Sequence, residues 1–128
     1  IPEQATVLRS LRNTLTSRGR AHLRFVPSGP RSSLEDVIER VAHRARWAAA
    51  FAGTNPPYVH PEPTEYARLA EAAGFKVLSM TCTDHGWDFE TAAAFEAFAR
   101  VTFVEWTRRI PESEQLAFIR EVLESYRP

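Results

Sequence analysis

The chain has 128 residues, of which 44% are hydrophobic and 25% are charged, as in ordinary globular domains. A single domain of this length could bury a substantial core. No apolar run approaches the roughly 18 to 20 residues that span a membrane, and the first residues carry no signal-peptide pattern. The single cysteine, Cys82, excludes an internal disulfide. We therefore expect a cytoplasmic protein without a membrane partner.

The net charge is zero, but its distribution along the chain is uneven. Residues 1–50 hold nine arginines against four acidic residues, whereas residues 51–128 hold seven basic residues against twelve acidic ones. A basic half can bind phosphate or nucleic acid. The aromatic residues that would stack on bases are limited there to Phe25 and Trp47, so the composition argues against a nucleic-acid partner.

The first half of the chain predicts two helices and one strand. Apolar residues at helical spacing predict a helix before Gly19, and the alternation over residues 21–26 predicts a strand. Ser33 and Asp36 stand at capping-box spacing, so we expect a second helix to begin at Ser33 and to run to Gly53.

The second half begins with a stiff loop, because four prolines occur in residues 54–63. A helix over residues 65–73 then ends at Gly74, which can adopt the left-handed geometry that leads into a strand over residues 75–82. A long helix is predicted over residues 91–109, with Asp88 as its N-cap, and a final helix follows Pro111. Five helices and two strands indicate an α/β fold.

Two stretches, "LTSRGRAHLRFV" (residues 15–26) and "YARLAEAAGFKV" (residues 66–77), resemble the C-terminal half of class I S-adenosylmethionine-dependent methyltransferases. The likeness is to the branch that includes trans-aconitate methyltransferase. It implies the helix-rich C-terminal part of a Rossmann-like sheet, with two strands and about five helices in this chain. Residues 1–128 would form one partial domain, with a helical insert at about 33–63 and a helical tail at about 89–128 that helps to roof the substrate pocket.

The resemblance implies S-adenosylmethionine as cofactor and a small molecule, with a carboxylate as candidate class, as substrate. The family binds its cofactor at a glycine-rich turn after the first strand, but no G-x-G occurs in this sequence. No cofactor-binding residue can therefore be assigned, and we expect activity only with a missing N-terminal half or another protomer. The alternative is a non-catalytic helical module that binds a partner.

Four residues are candidates for substrate binding. Tyr58 and His60 lie in the proline-rich loop, which would fall over the substrate pocket in the resembled fold; the alternative is a rigid surface loop in which Tyr58 packs against Phe51. Arg44 and Trp47 share a helix face suited to an anion, with a place for Trp47 at the edge of the core as the alternative. No catalytic residue and no metal ligand set can be named.

Overall fold

The computed structural model describes residues 3–126, and these residues form seven helices and no β-strand. The helices are α1 (Gln4–Thr14), α2 (Leu34–Ala42), α3 (Ala48–Phe51), α4 (Pro63–Ala72), α5 (Ala92–Thr102), α6 (Val104–Thr107) and α7 (Glu112–Tyr126).

The predicted α/β fold with two strands is wrong. The two predicted strands cover residues 21–26 and 75–82. These residues lie outside the helices, and they form no β-ladder with each other or with any other described segment. Alternation of apolar residues indicates which backbone could be a strand, whereas a strand also needs a neighbour that supplies hydrogen bonds. The described part of this chain contains no such neighbour, so the fold is helical.

Local signals were predicted correctly at three helix ends, marked by Ser33, Gly53 and Gly74. Ser33 and Asp36 form the expected capping box, in which the Ser33 hydroxyl accepts from the Asp36 N–H at 3.0 Å and the Asp36 carboxylate accepts from the Ser33 N–H at 2.8 Å. Gly53 and Gly74 follow helices with φ of 71° and 89°, the left-handed region that glycine enters without a Cβ clash. These signals depend only on neighbouring residues, which is why sequence sufficed.

Two predicted long helices are each interrupted. The helix expected from Ser33 to Gly53 stops at Ala42, where the His43 ring nitrogen lies 2.7 Å from the Glu39 carbonyl and competes for a helical acceptor. The helix expected over residues 91–109 is divided at Phe103, just after Thr102 donates its hydroxyl to the Phe98 carbonyl at 2.9 Å. Such back-bonding by threonine bends helices.

The described residues divide into two compact units, each built from two stretches of chain. Unit 1 comprises residues 3–30 and Pro57–Asp84, and unit 2 comprises Arg31–Pro56 and residues 85–126. Most of the predicted insert and the whole described part of the predicted tail therefore belong to unit 2.

Unit 1 is organised around the pair of helices α1 and α4 and has a small core. Its buried apolar side chains among the described residues are Leu8, Tyr66 and Ala70. Phe75 and Val77 pack against this cluster while remaining partly exposed. Arg12 links the two helices because its Nε donates to the Gly74 carbonyl at 3.1 Å.

Unit 2 contains thirteen of the sixteen buried apolar side chains of residues 3–126. Helix α7 is central and packs against α2, α5 and α6. Its Phe118 is completely buried and contacts Trp47 edge-on at 5.3 Å and Phe51 in a stacked arrangement at 5.5 Å between ring centroids. Aromatic packing of this kind stabilises a core beyond its buried area, so unit 2 is the better packed unit.

Candidate functional site

An open groove of about 490 Å³ lies in unit 1, between the start of α4, the proline-rich loop and the turn after residue 26. Its lining combines apolar walls with polar groups: Gln4, Ser28, Val59, His60, Pro61, Glu62, Glu65, Tyr66 and Leu69. Because the groove is open to solvent, it would contact a small molecule on one side only, through both apolar and polar groups. The Ser28 N–H donates to the Pro61 carbonyl at 3.1 Å, which holds the turn and the loop together at the groove.

The carboxylate of Glu62 is engaged by its own helix. Glu62 is the N-cap of α4, with Pro63 after it, and accepts from the Glu65 N–H at 2.8 Å. Hydrogen bonds from the backbone N–H groups of Thr64 and Glu65 lower the pKa of Glu62 below its ordinary value. Glu62 is therefore an ionised helix cap that shapes the groove.

Tyr66 forms a fixed wall of the groove. Its side chain is buried, and its ring lies 4.3 Å from that of Phe25 between centroids. Burial raises the pKa of the Tyr66 phenol, so its hydroxyl stays protonated at neutral pH and can donate a hydrogen bond.

The structure brings the first predicted pair together. The rings of Tyr58 and His60 lie 4.6 Å apart between centroids, both side chains are half-buried, and His60 lines the groove. An imidazole offers one donor and one acceptor when neutral and two donors when charged. His60 therefore presents an imidazole at the groove, and the Tyr58 ring packs beside it.

The second predicted pair, Arg44 and Trp47, belongs to unit 2 and surrounds a carboxylate of the same chain. Arg44 donates to Glu121 Oε1 at 2.7 Å and to the Ser125 hydroxyl at 3.0 Å, and Trp47 Nε1 donates to Glu121 Oε2 at 2.7 Å. Trp47 is only 2% exposed, which places it in the core of unit 2. Arg46 lies 4.3 Å over the Trp47 ring. The pair does bind an anion, and that anion is Glu121.

These contacts change the acidity of Glu121. Burial raises the pKa of this carboxyl, but hydrogen bonds from Arg44 and Trp47 and the charges of Arg44 and Arg46 together outweigh burial, so the net pKa is lowered from its ordinary value of 4.5. The charged form of Glu121 is thus favoured by folding.

Sequence reasoning missed several groove residues, above all Tyr66 and Ser28. Tyr66 carries a signal, since it lies on the apolar face of α4 together with Leu69 and Ala70. Ser28 has none, because its role depends on the contact with Pro61, a residue distant in sequence.

The loop before α5 was predicted to supply an N-cap at Asp88, and this prediction is wrong. Thr91 caps α5 by accepting from the Ala94 N–H at 3.1 Å, while Asp88 accepts from the Glu90 N–H at 2.7 Å in a local turn. Within residues 3–126, no group of three or more histidine, cysteine, aspartate or glutamate side chains is arranged to hold a metal ion. In the same range, no helix combines the length and apolar character required to cross a membrane.

The lining of the groove in unit 1 does not fit S-adenosylmethionine. The groove in unit 1 is lined by no glycine, so the backbone offers none of the close approach that the family uses for this cofactor. No family model matches the chain, and no curated protein or solved structure is found to be similar to it.

Proposed function

We propose that the chain is the substrate-side part of an S-adenosylmethionine-dependent methyltransferase that acts on a small molecule, with a carboxylate as the candidate class, in the cytoplasm. The cofactor-binding part would be supplied by another polypeptide segment or protomer. Because the described groove does not fit the cofactor, no methyl-transfer step is assigned to the residues of this chain.

The observation that carries the proposal is the division of the chain into two units. The family resemblance predicts a helical insert and a helical tail that together cover a substrate pocket. Residues 31–56 and 85–126, distant in sequence, fold into one helical unit, and α2 and α7 pack together in it. The association of the insert with the tail in one helical unit is what supports the proposal.

The groove in unit 1 supplies the substrate contacts of the proposal. His60 would contact the polar end of the substrate, with the Tyr58 ring packed beside the His60 ring, and Val59, Leu69 and the Tyr66 ring would contact its apolar part. Arg44 and Trp47 are substrate candidates only if an incoming carboxylate displaces Glu121, because Glu121 occupies their donors.

A second candidate function is the non-catalytic module that binds a partner. The observation that favours it is the number of exposed apolar side chains in unit 1, which include Leu23, Val26, Leu78 and Met80. Apolar side chains that are exposed in one unit are candidates for contact with a partner when they form a contiguous patch. A partner-binding module needs no cofactor, so the missing glycine-rich turn does not count against it.

An assay on the native protein separates the two functions. The protein is captured from its source under non-denaturing conditions, and its mass is compared with the 14.5 kDa of this chain. Methyl-labelled S-adenosylmethionine is then added with a panel of small di- and tricarboxylic acids. The methyltransferase proposal expects cofactor binding by the native assembly and label transfer to an acid. An assembly that retains a partner but binds no S-adenosylmethionine would refute it in favour of the module.

Substitution of His60 tests the assignment of the groove. His60→Ala should raise KM about tenfold or more with a smaller change in kcat, since one hydrogen bond to substrate is lost. His43→Ala is the matched control, because His43 belongs to unit 2 and contacts its own helix. Equal effects of the two substitutions would remove the groove from the proposal.

A further inference from the structure

Two stretches of unit 1 have peptide N–H and C=O groups that form no hydrogen bond with other backbone groups. In the described part of the chain, no backbone–backbone hydrogen bond involves residues 20–27 or 76–83. We call these two stretches the extended segments. Their N–H and C=O groups are available to a strand from another polypeptide, as on the open edge of a sheet.

The extended segments are covered by helices on one side only. Phe25 contacts Tyr66, and Val77 packs against the cluster around Leu8. In contrast, Val26 is 57% exposed and Leu78 is 66% exposed. Leu23 and Met80 are exposed as well. Solvated backbone beside exposed apolar side chains is the combination that strand addition buries.

Charge determines what kind of strand fits. The extended segments carry Arg20, Arg24 and Lys76 and contain no acidic residue; of the residues that flank them, Arg18 lies two positions before the first segment and Asp84 directly follows the second. Cross-strand neighbours of like charge destabilise pairing, whereas opposite charges stabilise it. A second copy of the same segment would bring arginines near arginines. An acidic strand would neutralise them.

We propose that the extended segments bind a β-strand of a different polypeptide, one that carries glutamate or aspartate at alternate positions. The inference deepens the proposed function and rests on it for the partner's identity, because the strand would belong to the cofactor-binding part. Unit 1 also has a small core, so burial of the exposed apolar side chains by such a partner would add to its stability.

Peptide probes test the docking without S-adenosylmethionine. The first probe has about ten residues of alternating valine and glutamate, the second replaces glutamate with lysine, and the third is the acidic peptide with N-methylated backbone amides. Binding is measured by fluorescence anisotropy, and the binding site is located by amide hydrogen exchange of the intact chain. We expect the acidic peptide to bind about tenfold more tightly than the lysine peptide and to protect amides of the extended segments. The methylated peptide should not bind.

Charge reversal in the chain supplies the matched comparison. The double substitution Arg20→Glu and Arg24→Glu should lower the affinity for the acidic peptide about tenfold and raise the affinity for the lysine peptide. Both arginines are exposed and attract the acidic peptide through their charge. Arg68→Glu, an equally exposed change on α4, should alter neither affinity.

Three results would overturn the inference: equal affinity for acidic and lysine peptides, protection confined to other residues, or protection that rises with protein concentration when no peptide is present. The last result would identify a second copy as the occupant. Docking and methyl transfer can fail separately, since peptide binding involves no cofactor and the methyltransferase assay involves no peptide.

Discussion

Removal of the Glu121 carboxylate is the sharpest test of how unit 2 is held together. Glu121 on α7 accepts hydrogen bonds from Arg44, which follows α2, and from Trp47, which precedes α3. Glu121→Ala removes both. The buried indole N–H then lacks its acceptor, while Arg44 keeps the Ser125 hydroxyl and its access to water.

The expected cost follows from the two interactions separately. A buried donor left without a partner costs about 1 to 3 kcal/mol. The ion pair contributes about 1 kcal/mol or less, because the Arg44 and Glu121 side chains are 48% and 25% exposed and water screens them. We therefore expect Glu121→Ala to lower the free energy of unfolding by about 2 to 3 kcal/mol. Glu121→Gln keeps an acceptor for Trp47 and should cost about half as much.

Urea unfolding followed by far-ultraviolet circular dichroism measures these differences. Glu124→Ala serves as control, since Glu124 is exposed on the same helix. A double-mutant cycle with Trp47→Phe isolates the indole contribution, and we expect a coupling of about 1 kcal/mol or more. If Glu121→Ala costs no more than Glu124→Ala, or if the cycle is additive, the assigned hydrogen bond does not stabilise the fold.

The remaining predictions concern pH and two local signals. The pKa of Glu121 is lower in the folded chain than its ordinary 4.5, so the contribution of its charge to stability is complete above pH 4.5 and is lost as pH falls through the folded pKa. In urea titrations below pH 4.5, the difference in unfolding free energy between wild type and Glu121→Gln should therefore shrink as the pH is lowered. Gly74→Ala should cost about 1 kcal/mol by the same method because of its φ of 89°, whereas Gly86→Ala, with open space around the site, should cost clearly less; equal costs would refute the strain argument. Ser33→Ala should cost about 1 kcal/mol through loss of the N-cap, and retention of full stability would show that α2 does not depend on its capping box.

Local signals allowed correct prediction of where several helices begin and end. The capping box at Ser33 and the glycines after α3 and α4 each act within a few residues, so sequence is sufficient. The strands could not be judged in this way. Residues 21–26 and 75–82 have strand-like composition, but a strand exists only when a partner supplies hydrogen bonds, and the described chain supplies none.

The candidate site was predicted in part for a similar reason. Tyr58 and His60 stand two residues apart in a stiff loop, and their contact follows from this spacing. The hydrogen bond from Trp47 to Glu121 joins residues 74 positions apart, and no local sequence pattern predicts it. Trp47 was therefore considered for substrate binding, although its indole belongs to a buried link between helices.

The hydrogen bond from the Ser28 N–H to the Pro61 carbonyl has a consequence for protein engineering. The chain leaves unit 1 after residue 30 and returns to it at Pro57. Because Ser28 and Pro61 are hydrogen-bonded, the points where the chain leaves and re-enters unit 1 are neighbours. A short glycine-serine linker could join residue 29 to residue 60 without stretching the backbone of unit 1. The spacing of the two attachment points is thus fixed within unit 1, and a change in the length of residues 31–56 need not alter it.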